Sequence, residues 1–159
     1  MNTVTRRLFW ISLVVLGTVS MVSAHDEGEG DLKVTTLAKS SDAWDDKPLP
    51  HYPTGQPEIT VLKIIIPEGK KTPLHFHSVI NAAVLQKGEV DVHMPDGEMK
   101  KLKAGDAFIE VVDKAHWGVN VGKGDAEFLV FYAGEKGEQI TQILHGDEQP
   151  PINDAREKP

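Results

Sequence analysis

The sequence predicts a single all-β domain, a sandwich or barrel of short strands. Three observations carry that expectation. Runs rich in apolar and β-branched residues recur along the chain, tight-turn signals separate them, and no window of helical period competes over the same stretch. At 159 residues, 40% apolar, with 14 Gly and 10 Pro, the chain has the make-up of one turn-rich globular domain.

The elements follow in order. Residues 59–66 form a β-branched run ended by Pro67-Glu68-Gly69, and residues 82–86 pass through Lys87-Gly88 into a strand over 89–94. Pro95-Asp96-Gly97 turns the chain again. Ala104-Gly105-Asp106 precedes a strand over 107–112, and Gly122-Lys123-Gly124-Asp125 precedes one over 126–133. Residues 40–57, rich in Pro, Asp and Gly, read as an irregular lead-in. Beyond Gly134 the chain is polar, with one short strand near 140–144.

The ends read differently. Arg6 and Arg7 precede an uncharged, mostly apolar run from Leu8 to Val22, and Val22-Ser23-Ala24 is a small-residue cleavage site, so residues 1–24 read as an export signal cleaved after Ala24. The run is shorter than the roughly 20 residues a membrane-spanning helix wants. Thr5-Arg6-Arg7-Leu8-Phe9 also resembles a twin-arginine signal, and the general secretory and twin-arginine routes both stay open. The expected location is periplasmic or secreted. Residues 25–31, "HDEGEGD", form an acidic arm, residues 32–58 the lead-in strand and loop, 59–145 the barrel, and 146–159 a polar tail. A mature N-terminal His25 could chelate copper only with a second histidine held nearby. The absence of Cys is compatible with export, because about 135 mature residues can build a core without disulfides.

Charge narrows the partners. The formal charge is −7, and removing the two arginines of the signal leaves −9. Such a surface repels phosphate backbones, which argues against nucleic acid, and against anionic membrane once the signal is removed.

Strand parity sorts the histidines, since alternate side chains point to opposite faces. In 89–94 the apolar set is Val90, Val92 and Met94, which places His93 outside with Glu89 and Asp91. His75 and His77 share one face, and Asn81 joins them if the strand continues without a bulge. His51 and His145 lie in loop-like segments and receive no role.

The pattern Gly69-x5-His75-x-His77-x3-Asn81-x6-Gly88 resembles the first motif of the cupin superfamily, with Asn81 where the family has Glu. Gly105, His116 and Asn120 resemble the second motif, with Val111 and Asp113 where Pro and Gly are usual. The resemblance spans Gly69 to Ala133. It implies a jelly-roll β-barrel, a tendency to form homodimers, and a divalent metal ion (Fe, Mn, Cu, Zn or Ni) near the wider mouth, held by His75, His77 and His116. Imidazole suits these metals, and two histidines of one strand face plus one from a neighbouring strand leave positions open for substrate. Asn81 is a neutral, weak ligand. It stands as a fourth ligand or as a hydrogen-bonding partner of whatever binds the metal, and Glu110 is the nearest other carboxylate, with an outward-facing surface charge as its alternative reading. The three-histidine pattern is similar to cupin-like dioxygenases acting on thiols or β-diketones. Two readings remain: a metal-dependent enzyme acting on a small organic substrate, with Glu110 and Tyr132 the available acid–base groups, or a non-catalytic metal- or ligand-binding module.

Overall fold

The computed structural model describes residues 32–150. The export signal, the acidic arm with His25, and residues 151–159 of the tail lie outside the described residues.

Among the described residues nine strands run in chain order: β1 (Pro57–Ile66), β2 (His75–Phe76), β3 (Ile80–Lys87), β4 (Glu89–His93), β5 (Met99–Lys103), β6 (Ala107–Ile109), β7 (Trp117–Asn120), β8 (Ala126–Glu135) and β9 (Gln142–Ile143). One sheet has the order β1-β8-β3-β6, all antiparallel. A second has the order β5-β4-β7, and a ribbon pairs β2 with β9. Isolated bridges Lys71↔Val119 and His75↔His116 join that ribbon to β7, so the second layer reads β5-β4-β7-β2-β9. Two antiparallel layers packed face to face are the jelly roll, an all-β fold.

The alternation seen in sequence sets the core. On β4, Val90 and Val92 are buried, with Met94 beyond them, and His93 faces out and stacks on Trp117 at 5.3 Å. On the inner face of the four-stranded sheet, register lines up apolar rows: Ile64, Phe128 and Leu85, then Leu62, Val130, Ala83 and Phe108. Gly88 closes the β3–β4 turn with φ +87°, and a Cβ there would stand 2.9 Å from the Ala126 backbone, so the turn needs glycine twice over.

Several elements differ from expectation: the lead-in holds an isolated bridge, Asp42↔Pro48, in place of a strand before β1, and β7 is an element the sequence reading did not include. Strand β5 is absent from the sequence reading because "MKKLK" is lysine-rich. It is an edge strand with only Leu102 buried, and lysines are what an edge strand carries to resist pairing with another chain. Strand β6 ends at Ile109, short of 112, as the chain bends towards His116 through Asp113 at φ +56°. That left-handed position is the one where the resembling motif has Gly. Asp tolerates the conformation better than most residues, so the turn survives the substitution.

Candidate metal centre

The histidines are placed by two different devices. His75 and His77 are two residues apart and so point the same way, while Phe76 between them is buried on the opposite side. His116 is brought beside His75 by a reciprocal backbone pair, His75 N–H to His116 O at 3.0 Å and His116 N–H to His75 O at 2.8 Å. Residues directly opposite in an antiparallel ladder share a face, and the His75 and His116 rings stand 4.4 Å apart. The His77 ring lies 4.9 Å from that of His75 and 5.1 Å from that of His116.

Each Nδ1 is committed to a backbone carbonyl: His75 to Pro73 at 2.8 Å, His77 to Ile140 at 2.9 Å, and His116 to Lys114 at 2.9 Å. A carbonyl only accepts, so each Nδ1 carries the proton it donates, and in the neutral ring Nε2 keeps its lone pair. One ring nitrogen from each histidine lies within 4.8 Å of the others. His77 and His116 are almost wholly buried, and Nε2 of His116 has no hydrogen-bond partner.

Glu110 faces inward. Its Oε2 lies 3.0 Å from Nε2 of His77 and 3.8 Å from Nε2 of His116, and it too lacks a well-formed hydrogen bond, so these are close charge contacts. Donors about 2.1 Å from one ion stand roughly 3.0–3.4 Å apart at octahedral to tetrahedral angles. The Glu110 oxygen already has that spacing from His77, and the ring nitrogens, up to 4.8 Å apart, would draw together by about 1 Å or more around a shared ion.

Asn81 is directly opposite Glu110, whose backbone N–H donates to Asn81 O at 3.2 Å, and directly opposite Tyr132 on its other side. Thr60, Tyr132, Asn81 and Glu110 thus form one row across the inner face of the four-stranded sheet. The carboxylate that the resembling motif carries at residue 81 stands one strand over, at residue 110. Both amide atoms of Asn81 are buried without a partner.

Electrostatics follow from this packing. Burial, together with the charges of His116 and His77, lowers the His75 pKa to about 4. Burial likewise lowers that of His116, against the pull of Glu110. For His77 burial is outweighed by contact with Glu110, and the pKa is raised. Burial alone would raise Glu110, but the three histidines, His77 foremost, hold its carboxyl down at about 2. Burial and the Glu110 charge push Tyr132 up to about 12, so its hydroxyl stays protonated.

Of the remaining sequence candidates, Asn120 is a staple. Its Nδ2 donates to Ile66 O and Gly124 O, each at 2.8 Å, tying the β7–β8 turn to the end of β1. His51 and His145 are exposed away from this cluster. Sequence reasoning did not find Ile140 and Thr141, which hold Nδ1 of His77 from 63 and 64 residues away, because a backbone carbonyl has no residue signature. A cavity of about 50 Å³ lies against His75, His77, His116 and Glu110, with Phe128 and Tyr132 among its apolar and aromatic walls.

A small antiparallel jelly roll with three inward imidazoles is the architecture of a cupin. Residues 62–132 match the family model of the cupin domain, and this part of the chain is a cupin domain. No curated protein matches it. Among solved structures it is similar to an oxalate oxidase in complex with the substrate analogue glycolate, at 19% identity and a TM-score of 0.47, covering 54% of this chain and 46% of that one. It is also similar to an uncharacterized conserved protein with a double-stranded β-helix domain from Klebsiella pneumoniae, at 20% identity and a TM-score of 0.47, covering 60% and 85%. An RmlC-like cupin from Shewanella frigidimarina is similar at 24% identity and a TM-score of 0.43, covering 50% and 69%. The match spans about half the length of the oxalate oxidase chain.

Proposed function

We propose that this cupin is an exported metal-dependent enzyme. His75, His77 and His116 hold one divalent ion, Glu110 completes the donor set, and a small organic molecule enters the remaining positions. The observation that supports this reading is the arrangement of the imidazoles: three Nδ1–H groups tied to carbonyls leave three Nε2 atoms to ligate beside an orphaned carboxylate oxygen, that of His77 once it has lost its proton. Three imidazoles and a carboxylate suit Fe, Mn, Cu, Zn or Ni. The metal would supply Lewis acidity or one-electron chemistry with dioxygen, and the reaction class we favour is dioxygenation.

The chain's own contributions are positional. Carbonyls fix the tautomers, Glu110 balances part of a dication's charge, and the protonated Tyr132 hydroxyl beside the cluster is a hydrogen-bond donor. The smallness of the inner cavity favours the second reading, a non-catalytic metal module, since only a compact group reaches the histidines. Metal content and oxygen uptake decide between them. The protein is loaded with Fe(II), Mn(II), Ni(II), Cu(II) or Zn(II) and offered thiols and β-diketones. Uptake above the metal-only rate supports the enzyme; firm metal retention without uptake for any loading supports the module.

Export and self-association belong to the same proposal. Replacing Arg6 and Arg7 by Lys abolishes export if the twin-arginine route is used and leaves it intact if the general route is used. The outer face of the four-stranded sheet exposes Ile59, Val61, Ile65 and Phe131, while Lys63 on that face is paired with Glu127 of its own chain. On a chain of formal charge −7, an apolar, internally neutralised patch is where a second copy can approach, and we assign it to a homodimer.

A further inference from the structure

We infer that residues 136–145 are a strap across the mouth of the site, and that metal bound on one side of His77 holds this strap shut from the other. This rests on the metal reading above and names a regulation of that same site. After β8 the chain turns back through Gly137 and returns to pair β9 with β2, and Leu144 N–H donates to Leu74 O at 2.9 Å. Midway along the strap, Ile140 O and Thr141 Oγ1 lie 2.9 and 3.1 Å from Nδ1 of His77. The single Nδ1–H is thus shared between two acceptors of the strap, while Nε2 of the same ring faces Glu110.

Packing makes this segment the most weakly held wall of the site. None of residues 136–145 is fully buried, whereas β8 just before them buries every second residue. Its other ties are surface hydrogen bonds: Lys136 N–H to Gln56 O at 2.9 Å, Gly137 N–H to the Glu58 carboxylate at 3.1 Å, and the Ser78 hydroxyl to Gln139 O at 3.1 Å. Segments held in this way open locally while the rest of the domain stays folded. Thr141 and Ile143 line a mouth of about 260 Å³ and do not line the inner cavity of about 50 Å³, so lifting the strap removes a wall of the mouth and leaves the inner cavity walled. An ion on Nε2 fixes the ring and polarises its Nδ1–H, and both effects tighten the hold on Ile140 and Thr141. The coupling is reciprocal: the closed strap tightens metal by the factor by which metal favours closure.

The test follows amide exchange of the full chain by NMR with and without saturating Zn(II), with bound metal measured on the same samples. Mildly alkaline buffer ensures that Zn(II) replaces no proton at Nε2. Without metal, Leu144 is expected to exchange at least about tenfold faster than the core amide of Leu85, which marks local opening. Zn(II) is expected to slow Leu144 at least about tenfold and to leave Gly97, in the β4–β5 turn, unchanged. In Thr141→Val, which keeps the side-chain shape and removes one acceptor, that slowing is expected to fall about threefold. Gly137→Ala strains a left-handed position (φ +82°) with open space around its Cβ, so it speeds Leu144 equally with and without Zn(II) and leaves the ratio intact. Leu144 as slow as Leu85 in the metal-free protein, no slowing in protein that holds Zn(II), equal slowing at Gly97, or a ratio that Thr141→Val leaves unmoved or Gly137→Ala alters overturns the strap while the metal reading stands. Failure of the unmodified protein to retain Zn(II) overturns both.

Discussion

On the inner face of the four-stranded sheet, the row nearest the histidines is Thr60, Tyr132, Asn81 and Glu110. On the outer face of the same strands stand Ile59, Val61, Ile65 and Phe131, each between 44% and 64% exposed. A sheet with one wet face ordinarily shows the reverse, polar outside and apolar inside. Burying an amide with no partner and a carboxylate with no well-formed hydrogen bond costs free energy, as does leaving β-branched side chains in water. The two inversions are what the proposal above accounts for, with a cation on the inside and a second chain on the outside. Further along the inner face, Val130, Ala83 and Phe108 are buried and obey the ordinary rule, which confines the polar row to one end of the sheet.

The sharpest way to break this contrast is on the second layer, where His116 faces in and His93 faces out. His116→Ala is expected to weaken metal binding by roughly a hundredfold or more, whereas His93→Ala leaves it unchanged. Equal affinities, measured by competition with a chromophoric chelator, would remove the inward cluster from the metal site.

Asn81→Glu probes the polar row itself. In the metal-free protein it sets two carboxylates directly opposite, and unfolding stability is expected to drop by on the order of 2 kcal/mol. With Mn(II) the variant regains that stability and binds the ion more tightly than the parent. Adding Glu110→Gln, which leaves one carboxylate in the row, is expected to bring metal affinity back towards the parental value. Unchanged Mn(II) affinity in a folded Asn81→Glu protein would place residue 81 away from the metal.

A smaller effect appears with pH. Burial keeps His75 neutral down to about pH 4 and lowers His116, while contact with Glu110 raises His77. His77 is therefore the ring that gives up a proton when metal enters. Affinity is expected to fall about tenfold per pH unit below the His77 pKa, with release of close to one proton in that range. Glu110→Gln removes the cause of the raised value, so the fall begins at lower pH even though overall affinity drops. Isothermal titration in buffers of different ionisation enthalpy measures the protons released; a slope unaltered by Glu110→Gln would break the coupling between the two residues.

The smallest effect on the site comes from the outer face. Ile59→Lys with Val61→Lys is expected to convert dimer to monomer in analytical ultracentrifugation, with metal affinity unchanged within about twofold and only slight loss of monomer stability, within about 0.5 kcal/mol. A variant that sediments as the parent does would show that this face is not where copies meet.

What the sequence determined by itself was what period and turn chemistry encode locally. Alternation in 89–94 put His93 out and Val90 and Val92 in, and two-residue spacing put His75 and His77 on one side, because side-chain direction along a strand depends only on parity. Glycine-bearing turns marked where strands end, Gly88 and Gly97 among them, since φ is positive there. The resemblance to cupins added the barrel and nominated His116. Register decided the rest. That His116 pairs with His75, that Glu110 stands opposite Asn81 and turns towards His77, and that Ile140 holds His77 all depend on how segments distant in sequence align. A strand's own residues do not state their partner, and a slip of one position would have sent Glu110 to solvent and left the histidines without a carboxylate.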